Sequence, residues 1–339
     1  MSIDGSLPFS GPFTRKTHRF GVLGKLSFVL LAGLVLLPQL SSAQWNATIG
    51  AQSRDLGRQG LAFLPNEIWI HAGESITWTM ASDEPHTVTF LTAGQVIPAF
   101  TAGCPGFSSG SATFDGTTCA TTALVFKGDK FTVVFPVAGN FKLICLIHQN
   151  MTGTVHVLQT SQSLPHDQAF YNREAEQESM VLVDDDEDAL KRKHHHSENG
   201  VAVGTGRIIA TVGGSDSLSV MRFNDPVITV HAGNMVEWTN EDPITPHTVT
   251  FGTEPQDLFS PSANVTIDED GARHGVLNSP SDSVSSGFLQ AAPQDRTGLE
   301  QAPLGVTRFR VTFSKPGTYP YICALHDGLG MKGKVIVLP

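Results

Sequence analysis

Two sets of residues in this chain have the types and spacing of a soft metal site. His86 is followed downstream by Cys145-Leu-Ile-His148-Gln-Asn-Met151, and His247 by Cys323-Ala-Leu-His326-Asp-Gly-Leu-Gly-Met331. Two imidazoles, a thiolate and a thioether suit copper in a trigonal His₂Cys site with a weak axial Met, whereas zinc has little use for the thioether. A cysteine at a strand end, with His and Met on the loop behind it, brings three donors to one end of a domain. The fourth, His86 or His247, must come from another strand. A rigid site of this kind changes little between Cu(I) and Cu(II), which suits a one-electron carrier.

The segments around these residues form an internal repeat. Residues 68–78 match 228–238 at an offset of 160, and Pro85-His86-Thr-Val-Thr-Phe90 recurs as Pro246-His247-Thr-Val-Thr-Phe251 at 161. Phe135 to His148 recurs as Phe313 to His326 at 178, in the same order. Apolar residues alternate with polar ones at Ile68/Ile70, Ile76/Trp78, Phe131/Val133/Phe135, Val236/Trp238, Phe309/Val311/Phe313 and Val335/Val337, the period of strands with one buried face. With 33 Gly, 20 Pro and only 16% charged residues, the composition agrees. The expected fold is all-β, two tandem antiparallel Greek-key sandwiches joined by a charged linker.

The expected divisions are a signal peptide at 1–43, a first domain at 44–159, a linker at 160–203 and a second domain at 204–339. A basic stretch from Arg15 to Lys25, the apolar run Leu26–Leu37 and Ser41-Ser42-Ala43 read as a secretory signal cleaved after Ala43. The apolar run is short of the roughly 20 residues that span a bilayer, so no stable membrane anchor is expected after cleavage. The destination is the periplasm or the extracellular space. The linker holds an acidic run at Asp184–Asp188 and His194-His195-His196, read as solvated, with a short helix around Arg173–Leu190. The formal charge of -10 excludes a binder driven by phosphate neutralisation, and no nucleic acid is expected.

The pattern His86…Cys145-x-x-His148…Met151, with its copy His247…Cys323-x-x-His326…Met331, resembles the type 1 blue-copper domains of the cupredoxin family. The second half is similar to plastocyanins and the first to amicyanins in the residues between the later His and the Met. The resemblance covers roughly 45–158 and 204–339. It implies one type 1 copper per domain and redox proteins that exchange single electrons as partners, with His148 and His326 as partly exposed ring edges for electron entry and exit.

Other two-domain cupredoxins are oxidases or reductases with added copper between subunits, where a His beside the blue-copper Cys links the centres. Here Ile144 and Leu146 flank Cys145, and Ile322 and Ala324 flank Cys323. An electron carrier without enzymatic activity is therefore expected, the alternatives being an oxidase or reductase and a copper-binding or storage protein. Cys104 and Cys119 lack counterparts in the second half and are expected to form a disulfide worth about 3 kcal/mol. Pairing Cys145 with Cys323 instead would leave the matching His and Met residues unexplained. His71 and His231, before Ala-Gly turns, read as structural, and Trp78 and Trp238 as core anchors. Asn46, Asn150 and Asn264 head glycosylation sequons. The long segments 94–123 and 253–303 are expected to be surface loops, the second a possible docking surface.

Overall fold

The computed structural model describes residues 43–98, 104, 111–148, 150–184, 201–202, 207–214, 217–290 and 306–339. The expected signal peptide, most of the acidic run and the His194–His196 cluster lie outside them. Each repeat forms a lobe of two packed sheets, and Ser42 to Pro339 make one compact unit.

Alternation sets the faces. In the strand Glu67–His71, Ile68 and Ile70 are buried while Glu67 is exposed, and Val227–His231 repeats this with Ile228 and Val230. The Glu67–His71, Thr152–Leu158, Gly139–Ile144, Thr89–Phe90 and Ala120–Thr121 strands make one five-stranded sheet. Val227–His231, Lys332–Leu338, Gly317–Ile322, Thr250–Phe251 and Val284–Ser285 make its counterpart. Trp78 packs against Phe90 in the first core, and Trp238 against Phe251 and Tyr321 in the second.

The sheets are mixed rather than purely antiparallel. Gln44–Gln52 runs parallel to Ser75–Met80, Glu67–His71 parallel to Thr152–Leu158, and Val227–His231 parallel to Lys332–Leu338. Strands that meet in space are here separated in sequence by crossovers between the two layers, which return the chain in the same direction.

The remaining strands of both lobes join in one 12-stranded sheet. Its seam is the antiparallel pairing of Arg58–Leu64 with Leu218–Phe223, in register Gly60 with Leu218, Gln59 with Ser219 and Arg58 with Val220. Hydrogen bonds from Leu61 N to Ser217 O and from Met221 N to Gly57 O, both 2.8 Å, extend it. Pairing closes an edge strand on each lobe that would otherwise present unpaired backbone groups.

The segment after the first lobe differs from the expected free linker. The helix Gln168–Asp184 starts earlier than the charge pattern suggested and packs on the first lobe. Tyr171 is fully buried, edge-on to Trp45, and its hydroxyl accepts from Trp69 N at 3.0 Å. Gln168 exchanges two hydrogen bonds with the Asn46 backbone, and Glu178 accepts from Asn66 N. One buried aromatic ring and these caps on edge backbone outweigh the segment's polarity.

The 253–303 segment is likewise not all loop where it is described. Its strand Arg273–Leu277 adds to the large sheet by parallel pairing with Arg308–Phe313. An ion network holds the two together: Arg310 meets Glu237, Asp268 and Asp270, and Arg308 meets Asp270. Cys104 and Cys119 are joined by a disulfide. His71 and His231 sit at turns, His71 Nε2–H donating to Gln162 O and His231 Nδ1–H to Pro339 O.

Candidate metal centres

Each lobe gathers its predicted ligands at the end where the five-stranded sheet gives way to loops. His86 follows Pro85 and is pinned by a bridge to Val125, as His247 is by a bridge to Leu289. Cys145 directly follows the strand Gly139–Ile144, and Cys323 follows Gly317–Ile322. Cys145 N donates to Met151 O at 3.0 Å and Met151 N to His148 O at 2.8 Å, so the short loop folds back on itself. The longer second loop keeps the Cys323 N to Met331 O bond, also 3.0 Å. A 3-10 turn at Asp327–Leu329, ended by Gly330 at φ 95°, absorbs its two extra residues.

In the first lobe, Cys145 Sγ lies 3.9 Å from His86 Nδ1 and 3.7 Å from His148 Nδ1, with 3.0 Å between the two nitrogens. In the second, Cys323 Sγ lies 3.9 Å from His247 Nδ1 and 3.3 Å from His326 Nδ1, and the nitrogens are 3.2 Å apart. All six residues are buried, and within each lobe the three donor atoms lie within 4.8 Å of one another. Met151 and Met331 sit in the same buried clusters as their cysteines. Both cysteines are free thiols, so the Cys145–Cys323 disulfide does not form.

The surroundings favour a thiolate. Burial alone would raise the cysteine pKa values, but the imidazoles outweigh it and hold both thiols well below their ordinary value. Thr87 N and Thr248 N each donate to the sulfur at 3.3 Å. The threonine hydroxyls accept from Leu146 N at 2.8 Å and Ala324 N at 2.7 Å, tying the cysteine loop to the histidine strand. Such outer contacts orient ligands and tune a metal. Three soft and borderline donors, converging, desolvated and with a ready thiolate, fit copper.

The outer nitrogens of the four histidines have different partners. His86 Nε2 meets Ser82 Oγ at 3.2 Å, whereas His247 Nε2 meets Asp242 Oδ2 at 3.5 Å. Burial lowers the pKa of His86, while in His247 the Asp242 carboxylate overcomes burial and raises it. The other two histidines share one group. Glu84, from the first lobe, places Oε1 3.3 Å from His148 Nε2 and Oε2 3.2 Å from His326 Nε2.

The expected exposed ring edges are therefore not found: His148 is 2% and His326 5% exposed. The lobes press these two ends together, with Glu84 between them and Ile244 of the second lobe packed into the first lobe's core. Burial would raise Glu84's pKa, but the two imidazoles hold it well below the carboxylate range. In the metal-free pockets His148 and His326 are raised to about 10 against their own burial, by the thiolates first and Glu84 next.

Sequence reasoning missed Glu84, Ser82 and Asp242. Thr87 and Thr248 stood in the repeated Pro-His-Thr-Val-Thr-Phe block and were findable there. Glu84 breaks the repeat, its counterpart before Pro246 being Thr245.

Two β-sandwich lobes, each closing a buried His-Cys-His group beside a buried Met, define a two-domain cupredoxin. The profile of copper-binding proteins of the plastocyanin/azurin family matches residues 51–158 and 209–338, and the chain belongs to that family. It is 27% identical over 124 residues to a plastocyanin of Synechococcus sp. (strain JA-2-3B'a(2-13)), covering 37% of this chain and 68% of that protein. Over 124 residues it is 30% identical to the chloroplastic plastocyanin of Tetradesmus obliquus, covering 37% and 63%. Among solved structures it is similar to a reduced amicyanin mutant, at 17% identity and TM-score 0.24 over 34% of this chain and 83% of that one. It is also similar to amicyanin from Paracoccus versutus, at 20% identity and TM-score 0.22 over 35% and 86%.

Proposed function

We propose that the chain is an exported one-electron carrier that holds one type 1 copper in each lobe and catalyses no substrate chemistry. The observation that carries this reading is the duplicated, fully buried His-Cys-His group. Cys145, His86 and His148, with Met151 as the weak axial donor, would hold one ion. Cys323, His247, His326 and Met331 would hold the other. Copper bound there supplies reversible one-electron exchange.

The chain's own residues do the rest. The Thr87 and Thr248 backbone amides stabilise the thiolates, and the cysteine loops, closed by hydrogen bonds on both sides, keep the donors in one arrangement. A pocket that need not rearrange lowers the cost of electron exchange. The apolar residues flanking each cysteine, Ile144, Leu146, Ile322 and Ala324, offer no ligand for an adjoining catalytic ion. Export is supported by the Arg15–Ala43 pattern, and the partners are redox proteins that give or take single electrons.

Titrating copper into residues 44–339, followed by visible absorption, tests the reading. An intense thiolate-to-copper band that stops growing at two equivalents supports two type 1 sites. A break at one equivalent means that one lobe lacks a site. Further copper bound without added colour favours the oxidase or reductase, and the absence of a blue band overturns the proposal.

A further inference from the structure

The feature that the carrier reading leaves unexplained is the carboxylate of Glu84. It is buried to 5% exposure, lies in the first lobe, and touches a ligand histidine in each lobe. Gln59 Oε1 receives the backbone N–H groups of Asp83 and Glu84, both at 3.2 Å, so the segment is held by the seam strand itself. Oε2 has no hydrogen-bond partner apart from its contact with His326. A buried carboxylate is retained only where paired groups repay its desolvation. Here those groups are the outer nitrogens of two imidazoles whose inner nitrogens face the two cysteines.

We propose that Glu84 is a shared positioning residue for both metal centres and the link between them, so that an electron received by one lobe passes to the other along His148, Glu84 and His326. The inference rests on the copper reading above. An external one-electron donor supplies the first electron. In the internal step one centre is oxidised by one electron and the other reduced by one, and no bond to Glu84 forms or breaks. With both ring edges enclosed, this face serves exchange between lobes, and outside partners meet the molecule elsewhere.

The geometry makes a specific demand on the side chain. Two acceptor oxygens serve two N–H groups, and a glutamine offers one acceptor and one donor, so Glu84→Gln can satisfy one imidazole only while keeping the volume. Imidazole ¹⁵N NMR of the metal-free full chain reads this directly. The expected result is slowly exchanging Nε2–H signals for both His148 and His326, both displaced in E84Q. Displacement of His148 alone overturns the bridge. Because this measurement uses no copper, it separates failure of the bridge from failure of the copper reading, which the missing blue band would reveal.

With copper, Cys145→Ser leaves the second lobe as the only blue centre. Adding Glu84→Gln in that background is expected to shift the band and raise the reduction potential of a centre in the other lobe, since a negative charge that favours the oxidised ion has gone. An unchanged second-lobe centre overturns the shared role. In the half-reduced two-copper chain, exchange between lobes is expected at a rate independent of protein concentration, and to be lost or slowed in Glu84→Ala. Exchange that scales with concentration, or is untouched by E84A, overturns the link.

Discussion

Gln59 and Ser219 face each other in register across the seam of the large sheet, and they are the same position of the repeat, 160 residues apart. Their neighbours obey the same relation, since Gly60 pairs with Leu218 and Arg58 with Val220. The two lobes are thus related by a local two-fold axis through this pair, the arrangement of an isologous dimer within one chain. Near that axis strict symmetry fails. Glu84 reaches both lobes' histidines, whereas its counterpart Thr245 hydrogen-bonds Ser219 Oγ at 2.5 Å.

Removing one thiolate should silence one lobe and spare the other. Cys323→Ser is expected to reduce the copper-thiolate absorption to that of the first lobe, and Cys145→Ser to that of the second. Visible spectra at saturating copper check this. Undiminished colour in Cys323→Ser would show that this sulfur is not the ligand.

The two centres should differ in potential because their outer partners differ. Asp242 beside His247 Nε2 places a buried negative charge next to the second site, where the first site has the neutral Ser82. The second lobe is therefore expected to have the lower potential of the two. Asp242→Asn should raise it by on the order of 60 mV, a tenfold change for a one-electron couple. Spectroelectrochemistry of the single-site Cys145→Ser chain, with and without Asp242→Asn, measures the shift.

Gly50 controls the room behind His86. It has φ 70°, and a Cβ there would collide with the Ser82 side chain and come within 2.9 Å of His86 Nε2. Gly50→Ala is expected to cost about 1–3 kcal/mol through the left-handed backbone and to displace the His86 ring. Thermal unfolding and the spectrum of the first lobe, in a Cys323→Ser background, should both change. The same substitution should leave the second lobe's spectrum as it was.

Acid should loosen the added strand of the second lobe first. Hydrogen bonds from Arg310 hold Asp270 well below its ordinary pKa, and in Asp268 partners including Arg310 and His274 overcome a desolvation that raises it. Since both folded values are depressed, the stabilisation is present above the unfolded carboxylate pKa of about 4 and is lost as pH falls below it. The protection of the Arg273–Leu277 amides relative to their intrinsic exchange rates is expected to fall below about pH 4. In Asp270→Asn that protection should be lower at neutral pH and fall less on acidification.

The gathering of each His-Cys-His group was legible because its chemistry is local: a Cys, a His three residues on and a Met beyond it form a pattern in spacing, and the repeat states it twice. Trp78 and Trp238 were legible as core for the same reason, through period-two alternation. Glu84 was not, because one carboxylate before a proline acquires its role only when the other lobe brings His326 to it. The exposed-edge expectation for His148 and His326 failed at the same point, since it treated each lobe as if it stood alone. The helix at Gln168–Asp184 was misplaced because charge marked its far end, while the aromatic pair Phe170 and Tyr171 at its start, with Tyr171 fully buried, decides where it docks. The parallel strand pairs were hidden because alternation fixes a face but not a direction.

The break in symmetry around Glu84 is closed to a pair of identical subunits. Two identical subunits meeting about the same axis would carry the same residue at this position twice, and would have either two carboxylates competing for two imidazoles or none. Fusion of the copies lets one supply the acid and the other a threonine. A single connected chain can thus hold two like centres in an unlike setting, giving the pair a direction that a homodimer could not possess.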